Sequence, residues 1–251
     1  MCPGLLTKRG SYGGENMIKL LSSLGASSAS IARDKRSLPV LLARSATSLF
    51  RLVAFLSSDK VRMPVKNIGP LIRSSRCVEL LDAVCPVFFS PDESELQYNS
   101  LNILPRPPKD SKLEEKRNEI YGKMKKTADI LRYEIGVSSL SKVVQSYPSI
   151  LLLDPMTQIF PVTDFLYNEL GISEDGVPQV IQSYPSILKT DIKQMRQTVQ
   201  YLLELEVSDD LIGKIFRAFP AILTFDKETQ IIPVVNFLRE IGVVNIGRFI
   251  A

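Results

Sequence analysis

The sequence predicts an all-α protein, an α-solenoid of right- or left-handed sense built from helix-pair repeats of about 35 residues. Three observations lead there. The pentapeptide Tyr147-Pro148-Ser149-Ile150-Leu151 returns as Tyr184-Pro185-Ser186-Ile187-Leu188 and, altered, as Phe219-Pro220-Ala221-Ile222-Leu223, at spacings of 37 and 35 residues. Between these anchors, apolar residues recur at helical spacing, and a glycine or polar break falls 12 to 17 residues before each anchor. The period itself marks supersecondary units that bury their apolar faces only against neighbours.

Composition sets the outer limits. With 251 residues, 45% hydrophobic and 23% charged, the chain can bury a substantial core and lies outside the disordered class. Every apolar run is broken by Pro, Ser or a charge well short of the roughly 18 residues a membrane span needs. Cys2, Cys77 and Cys85 are too few for a disulfide framework or a zinc site, so a reducing compartment is expected. Histidine is absent, which removes the side chain most used for acid–base work near neutrality and the commonest metal ligand. With no Gly-rich phosphate loop and no nucleophile beside a base, the expectation is a non-enzyme without metal or cofactor. The net charge of +4 is unevenly divided: residues 1–76 carry 13 Lys/Arg against 3 Asp/Glu, residues 77–251 carry 18 against 24. A polyanion should be drawn first to the N-terminal third.

Taken in order, residues 1–16 are Gly-rich and read as a flexible lead. The Ser-rich, acid-poor stretch to about residue 58 has transit-peptide composition, although the repeat accounts for most of it. N-terminal basic repeats are expected over 17–81, anchored at Pro39-Val40-Leu41-Leu42. A Pro-rich degenerate repeat or linker follows over 82–112, and C-terminal repeats fill 113–251, the last incomplete. Within a unit, the first helix is copied as Arg51-Leu-Val-Ala-Phe-Leu56, Pro161-Val-Thr-Asp-Phe-Leu166, Gln197-Thr-Val-Gln-Tyr-Leu202 and Pro233-Val-Val-Asn-Phe-Leu238. Breaks follow at Lys60, Gly136, Gly171, Glu206 and Gly242, where glycine suits the positive φ just past a helix C-terminus.

The second helix places Leu140, Val143, Val144 and Tyr147 on one stripe, as it does Val177, Val180, Ile181 and Tyr184, and Ile212, Ile215, Phe216 and Phe219. The anchor aromatics are therefore expected to pack inward. Proline then stops the helix. Four residues past each anchor isoleucine or its counterpart, Ser45, Asp154, Asp191 and Asp226 are expected to cap the next helix, with Pro155 at its first position. A longer helix is expected from Lys112 to Ile135, with Glu114 to Glu119 as a solvated face.

The Tyr/Phe-Pro-Ser/Ala-Ile-Leu anchor, the Ile-Gly-Val or Leu-Gly-Ile break and the Pro-Val-x-x-Phe-Leu helix together resemble the mitochondrial transcription termination factor (mTERF) family. The resemblance covers about 17–81 and 113–251 and is strongest from 136 onward. It implies an mTERF-like superhelix that holds nucleic acid, acting in mitochondria or chloroplasts in transcription, including termination, or in RNA processing. The partners so implied are double-stranded DNA or structured RNA, with other organelle gene-expression proteins; a monomer off the membrane is expected. An α-solenoid scaffold for protein partners is the alternative.

In a solenoid, equivalent positions line up. Counting back six and three residues from each anchor gives Arg33 and Arg36, Leu71 and Ser74, Lys142 and Gln145, Gln179 and Gln182, and Lys214 and Arg217. Apart from Leu71, these types suit phosphate oxygens, as they also suit an ordinary solvated face. The cluster Arg62, Lys66, Arg73 and Arg76, with Arg33, Lys35 and Arg36, adds the stronger electrostatic argument. The candidate nucleic-acid contacts are thus Arg33, Lys35, Arg36, Arg62, Lys66, Arg73, Arg76, Lys142, Gln145, Gln179, Gln182, Lys214 and Arg217.

Overall fold

The computed structural model describes residues 21–24, 41, 44, 46–85 and 111–250. Among them every regular element is helical, as expected for an all-α helical-repeat fold. The chain divides into two compact units, Met1–Ala128 and Asp129–Ala251.

In the first unit, α1 (Ala46–Ser57) turns Leu49, Leu52 and Leu56 into the core at helical spacing. The chain then breaks at Arg62, whose φ is 55°, two residues past the expected Lys60. Helix α2 (Val65–Ile72) buries Ile68, Leu71 and Ile72; a 3₁₀ turn, Ser75–Cys77, leads into α3 (Val78–Val84), which buries Leu80, Leu81 and Val84. Cys77 and Cys85 flank α3 as buried free thiols, and burial pushes both up to about 12. Arg44, also buried, donates to the Asp82 carboxylate and the Cys85 carbonyl, so its charge is paired. Helix α4 (Ser111–Asp129) presents Glu114, Glu115, Lys116, Asn118 and Glu119 to solvent as expected. Glu114 does more than solvate: Arg51 of α1 donates to it at 2.7 Å, donates to Asn118, and lies 4.6 Å over the Tyr121 ring.

The second unit is where the repeat is explicit. It begins with a π-turn, Ile130–Glu134, and three second helices follow: α5 (Leu140–Ser146), α7 (Gly176–Ser183) and α9 (Asp209–Ala218). Each ends at an anchor that forms a 3₁₀ turn, Pro148–Leu152, Pro185–Lys189 or Pro220–Thr224. The residue ahead of each proline is extended, at φ between −142° and −137°, as the proline ring requires. The first helices are α6 (Phe160–Asp164), α8 (Ile192–Glu204) and α10 (Ile232–Glu240), and α11 (Ile246–Ile250) closes the series. The expected caps form: Asp154 accepts from the Met156 and Thr157 N–H groups, Asp191 from Lys193, Asp226 from Thr229. The equivalent Ser45 and the anchor at Pro39 lie outside the described residues.

The four copies of the first helix are not alike, contrary to expectation. Helix α6 is entered through a π-turn at Pro155–Ile159 and left through another at Phe165–Glu169; α10 is entered through one at Lys227–Ile231. Helices α1 and α8 are regular throughout. Proline is the cause at the entries. Pro161 and Pro233 lack an N–H and would strike the carbonyl four residues back, so the turn before them widens; α1 and α8 carry Arg51 and Gln197 there instead.

Each π-turn takes up one residue. Seven positions separate the cap from the landmark in Asp154 to Pro161 and in Asp226 to Pro233, against six from Asp191 to Gln197. Ten separate Pro161 from Gly171, against nine from Gln197 to Glu206. The two turns around α6 therefore account for the whole difference between the 37- and 35-residue spacings. The caps adapt in step: Gln158 and Gln230 accept from the Asp154 and Asp226 N–H groups four residues back rather than the usual three.

The breaks fall at positive φ, 84° at Gly136, 62° at Gly171 and 90° at Gly242, with Glu206 forced to 64° without glycine's freedom. Successive first helices are tied by Arg196, which grips Glu169 with two hydrogen bonds of 2.8 and 2.5 Å; the Arg196 guanidinium holds that carboxyl below the usual range.

Candidate nucleic-acid interface

Helices α5, α7 and α9 pack side by side in the second unit, α7 touching both of the others. Their apolar stripes are buried at Leu140, Val143 and Val144, at Val177, Val180 and Ile181, and at Ile212 and Phe216. Ile215 is half-buried. The anchor aromatics depart from expectation: Tyr147 and Tyr184 are half-buried, and Phe219 is 52% exposed. Their tips join one unit to the next. The Tyr184 hydroxyl is 3.1 Å from the Thr224 hydroxyl, and Lys189 sits 5.6 Å over the Tyr147 ring. Phe219 has no hydroxyl for such a link and instead packs edge-on against Phe225 at 6.0 Å.

The stripe faces inward, so the positions six and three residues before each anchor lie on the more open side. Lys142, Gln179, Lys214 and Arg217 are exposed; Gln145 and Gln182 are half-buried. Gln179, Gln182 and Arg217 hold the row together. Gln182 Oε1 accepts from Ser138 Oγ at 3.0 Å and from the Ser139 N–H at 3.2 Å, capping the start of α5 from α7. Arg217 donates to Gln179 Oε1 at 2.8 Å, tying α9 to α7. Lys142 and Lys214 make neither hydrogen bond nor ion pair with any described residue. They are the two cations of this row that are open to an incoming anion.

Beside the row lies a groove of about 970 Å³ between the break after the π-turn Ile130–Glu134, helix α6 and helix α7. Glu134, Asp164, Glu174 and Asp175 line it, with Phe160 and Tyr167, and no Lys or Arg does. Gln179 and Gln182 open onto this acidic groove. Phosphate would be repelled from these carboxylates. Single-sequence inspection missed these carboxylates because they come from three elements; their common signal is that each stands near a break or at the end of a helix.

In the first unit, Arg62, Lys66 and Arg76 are exposed, while Arg73 is half-buried and its Nε donates to the Gly69 carbonyl at 3.3 Å. Lys66 and Arg73 are seven residues apart across α2 and so share a face. Leu71, which occupies the position of Lys142 and Gln179 in the register, is buried, and Ser74 is half-buried. Arg33, Lys35 and Arg36 lie outside the described residues. Across residues 46–85 six Lys/Arg stand against three Asp/Glu, whereas across 129–247 nine stand against fifteen. The basic bias of the N-terminal part thus extends into its described helices.

Residues 129–247 match the family model mTERF. Residues 129–247 thus carry an mTERF domain. The matched segment coincides with the second unit and contains all three complete anchors. No curated protein matches the chain. mTERF proteins form a helical-repeat family that binds nucleic acid, is typically organellar and is not known for enzymes. Among the described residues, no group of three or more acidic or cysteine side chains is placed to hold a metal ion, and no helix is long and apolar enough to cross a membrane.

Proposed function

We propose that this mTERF chain is an organelle factor that binds double-stranded DNA or structured RNA through the phosphate backbone and regulates transcription, including termination, or RNA processing, in mitochondria or chloroplasts. The observation that carries the proposal is the mTERF match over 129–247. The side chains supply the means. Arg62, Lys66 and Arg76 in the first unit, and Lys142 and Lys214 in the second, are exposed cations suited to phosphate oxygens, with Arg73, Gln145 and Arg217 beside them. Arg33, Lys35 and Arg36 are proposed contacts by sequence alone. Gln179 and Gln182 serve it by holding neighbouring helices in register.

Backbone contacts release counterions, so affinity should fall linearly on a log–log salt plot, with a slope of about −0.9 per phosphate neutralised. Filter binding of the full chain to DNA and RNA duplexes across a salt series tests this. Replacing Lys142 and Lys214 together by Ala should weaken binding to all sequences alike and flatten the slope by about two. Binding that is absent at low salt, or indifferent to salt, would overturn the proposal. The second reading, a scaffold for protein partners without direct nucleic-acid binding, is favoured by one feature, the acidic groove. It would be supported by basic peptides binding in a way that substitution of Glu174 and Asp175 abolishes, with no retention of nucleic acid.

A further inference from the structure

Two successive junctions between first helices follow the same plan, but only the later one supplies its own cation. In register, Glu134 is equivalent to Glu169, each two residues before the break glycine. Phe160 is equivalent to Arg196, each one residue before the landmark at Pro161 or Gln197. At the later junction Arg196 donates from Nε and Nη2 to the two carboxylate oxygens of Glu169, at 2.8 and 2.5 Å. At the earlier junction phenylalanine stands in place of the arginine, and Glu134 makes no ion pair with any described residue. Glu134 and Phe160 both line the acidic groove.

The rest of the groove suits a chain of cations. Asp164, Glu174 and Asp175 are exposed there and make no ion pair with any described residue. Asp175 stands at the N-cap of α7, yet its side chain accepts no capping hydrogen bond. Neighbouring like charges without counterions repel one another, and cations brought among them remove that cost. Among the described residues no acidic group is placed to hold a metal ion, so a compact ion is a poor match and an extended cationic chain a better one. Tyr167, 47% exposed, and Phe160 add aromatic rings, against which a guanidinium stacks better than an ammonium does. We propose that the groove receives an arginine-bearing basic segment of a protein partner. One guanidinium sits on Glu134 as Arg196 sits on Glu169, and further Lys or Arg side chains meet Asp164, Glu174 and Asp175. Such binding rests on the protein partner of the second reading, adds to it the demand for arginine, and is independent of whether the chain also holds nucleic acid.

Fluorescence anisotropy at low salt tests this, with the full chain titrated into a short labelled Gly/Ser peptide carrying spaced arginines, or into its lysine counterpart. The arginine peptide should bind about fivefold more tightly than the lysine peptide. Glu134→Gln should weaken the arginine peptide about fivefold and erase that preference. Phe160→Arg, which gives the earlier junction the arginine of the later one, should erase it as well by filling the seat. Should that variant unfold, Glu134→Gln decides alone, since its side chain is exposed. Glu204→Gln, at the equivalent exposed carboxylate outside the groove, should change nothing. Equal affinity of the parent protein for the two peptides overturns the proposal and leaves the second reading standing. So does a preference for arginine that survives Glu134→Gln or is lost only on Glu204→Gln. Binding of neither peptide overturns both.

Discussion

Thr198 shows how a single position departs from its register. It is fully buried in α8, between the equivalents Val162 and Val234, and its hydroxyl has no hydrogen-bond partner. An unpaired buried hydroxyl costs roughly 1–3 kcal/mol of desolvation. Valine has the same shape without that cost and is what the neighbouring copies use. Thr198→Val should therefore stabilise the protein by about 1 kcal/mol, read as a raised denaturant midpoint at unchanged slope. A lowered midpoint would mean that the hydroxyl is paired in solution. Polar residues of another kind were legible in the sequence: Asp154, Asp191 and Asp226 act on N–H groups two or three residues away, so their role is local and repeats with the period. Gln182 was not legible in the same way. Its partners, Ser138 and Ser139, are more than 40 positions back, and its type alone suggests a solvated face or a phosphate contact equally well.

At the level of elements, the order of helices, breaks and anchors could be read directly, because caps, positive-φ glycines and prolines are short-range signals. The π-turns could not be read from apolar periodicity, which tolerates one extra residue per helix. They become visible only when cap-to-landmark distances are compared between copies. The glycines show the same limit. Gly213 sits within α9 where a Cβ would lie 2.6 Å from the Leu170 carbonyl oxygen, while Gly122 in α4 has nothing within 4 Å of that point. Both read in sequence as helix-interior glycines. Alanine improves intrinsic helix propensity at each by about 1 kcal/mol, but at Gly213 it must displace backbone, which typically costs 1–3 kcal/mol or more. Gly213→Ala should thus destabilise the protein by about 1–2 kcal/mol net, and Gly122→Ala should stabilise it by roughly 0.5–1 kcal/mol. Chemical denaturation of the two variants side by side decides the matter. The same sign for both would show that close approach of helix and carbonyl does not limit packing in the second unit.

At the scale of the whole second unit, stability is distributed along a line, since each repeat touches only its neighbours. Helix α8 has an element packed on it from α9, from the Pro220 turn and from the π-turn Lys227–Ile231, and it buries Met195, Thr198 and Leu202. Helix α10 buries Val235 and leaves Val234 and Phe237 in water. Opening α10 therefore exposes little new apolar surface, whereas opening α8 breaks contacts on both sides. Local unfolding free energies should fall accordingly from α8 to α10. Amide hydrogen exchange at micromolar or lower concentration should find the α10 amides exchanging about tenfold faster than those of α8, or more, a difference of about 1.4 kcal/mol for each factor of ten. Equal protection of the two helices in dilute solution would show that the unit opens as one block, and the nearest-neighbour account of its stability would then be wrong.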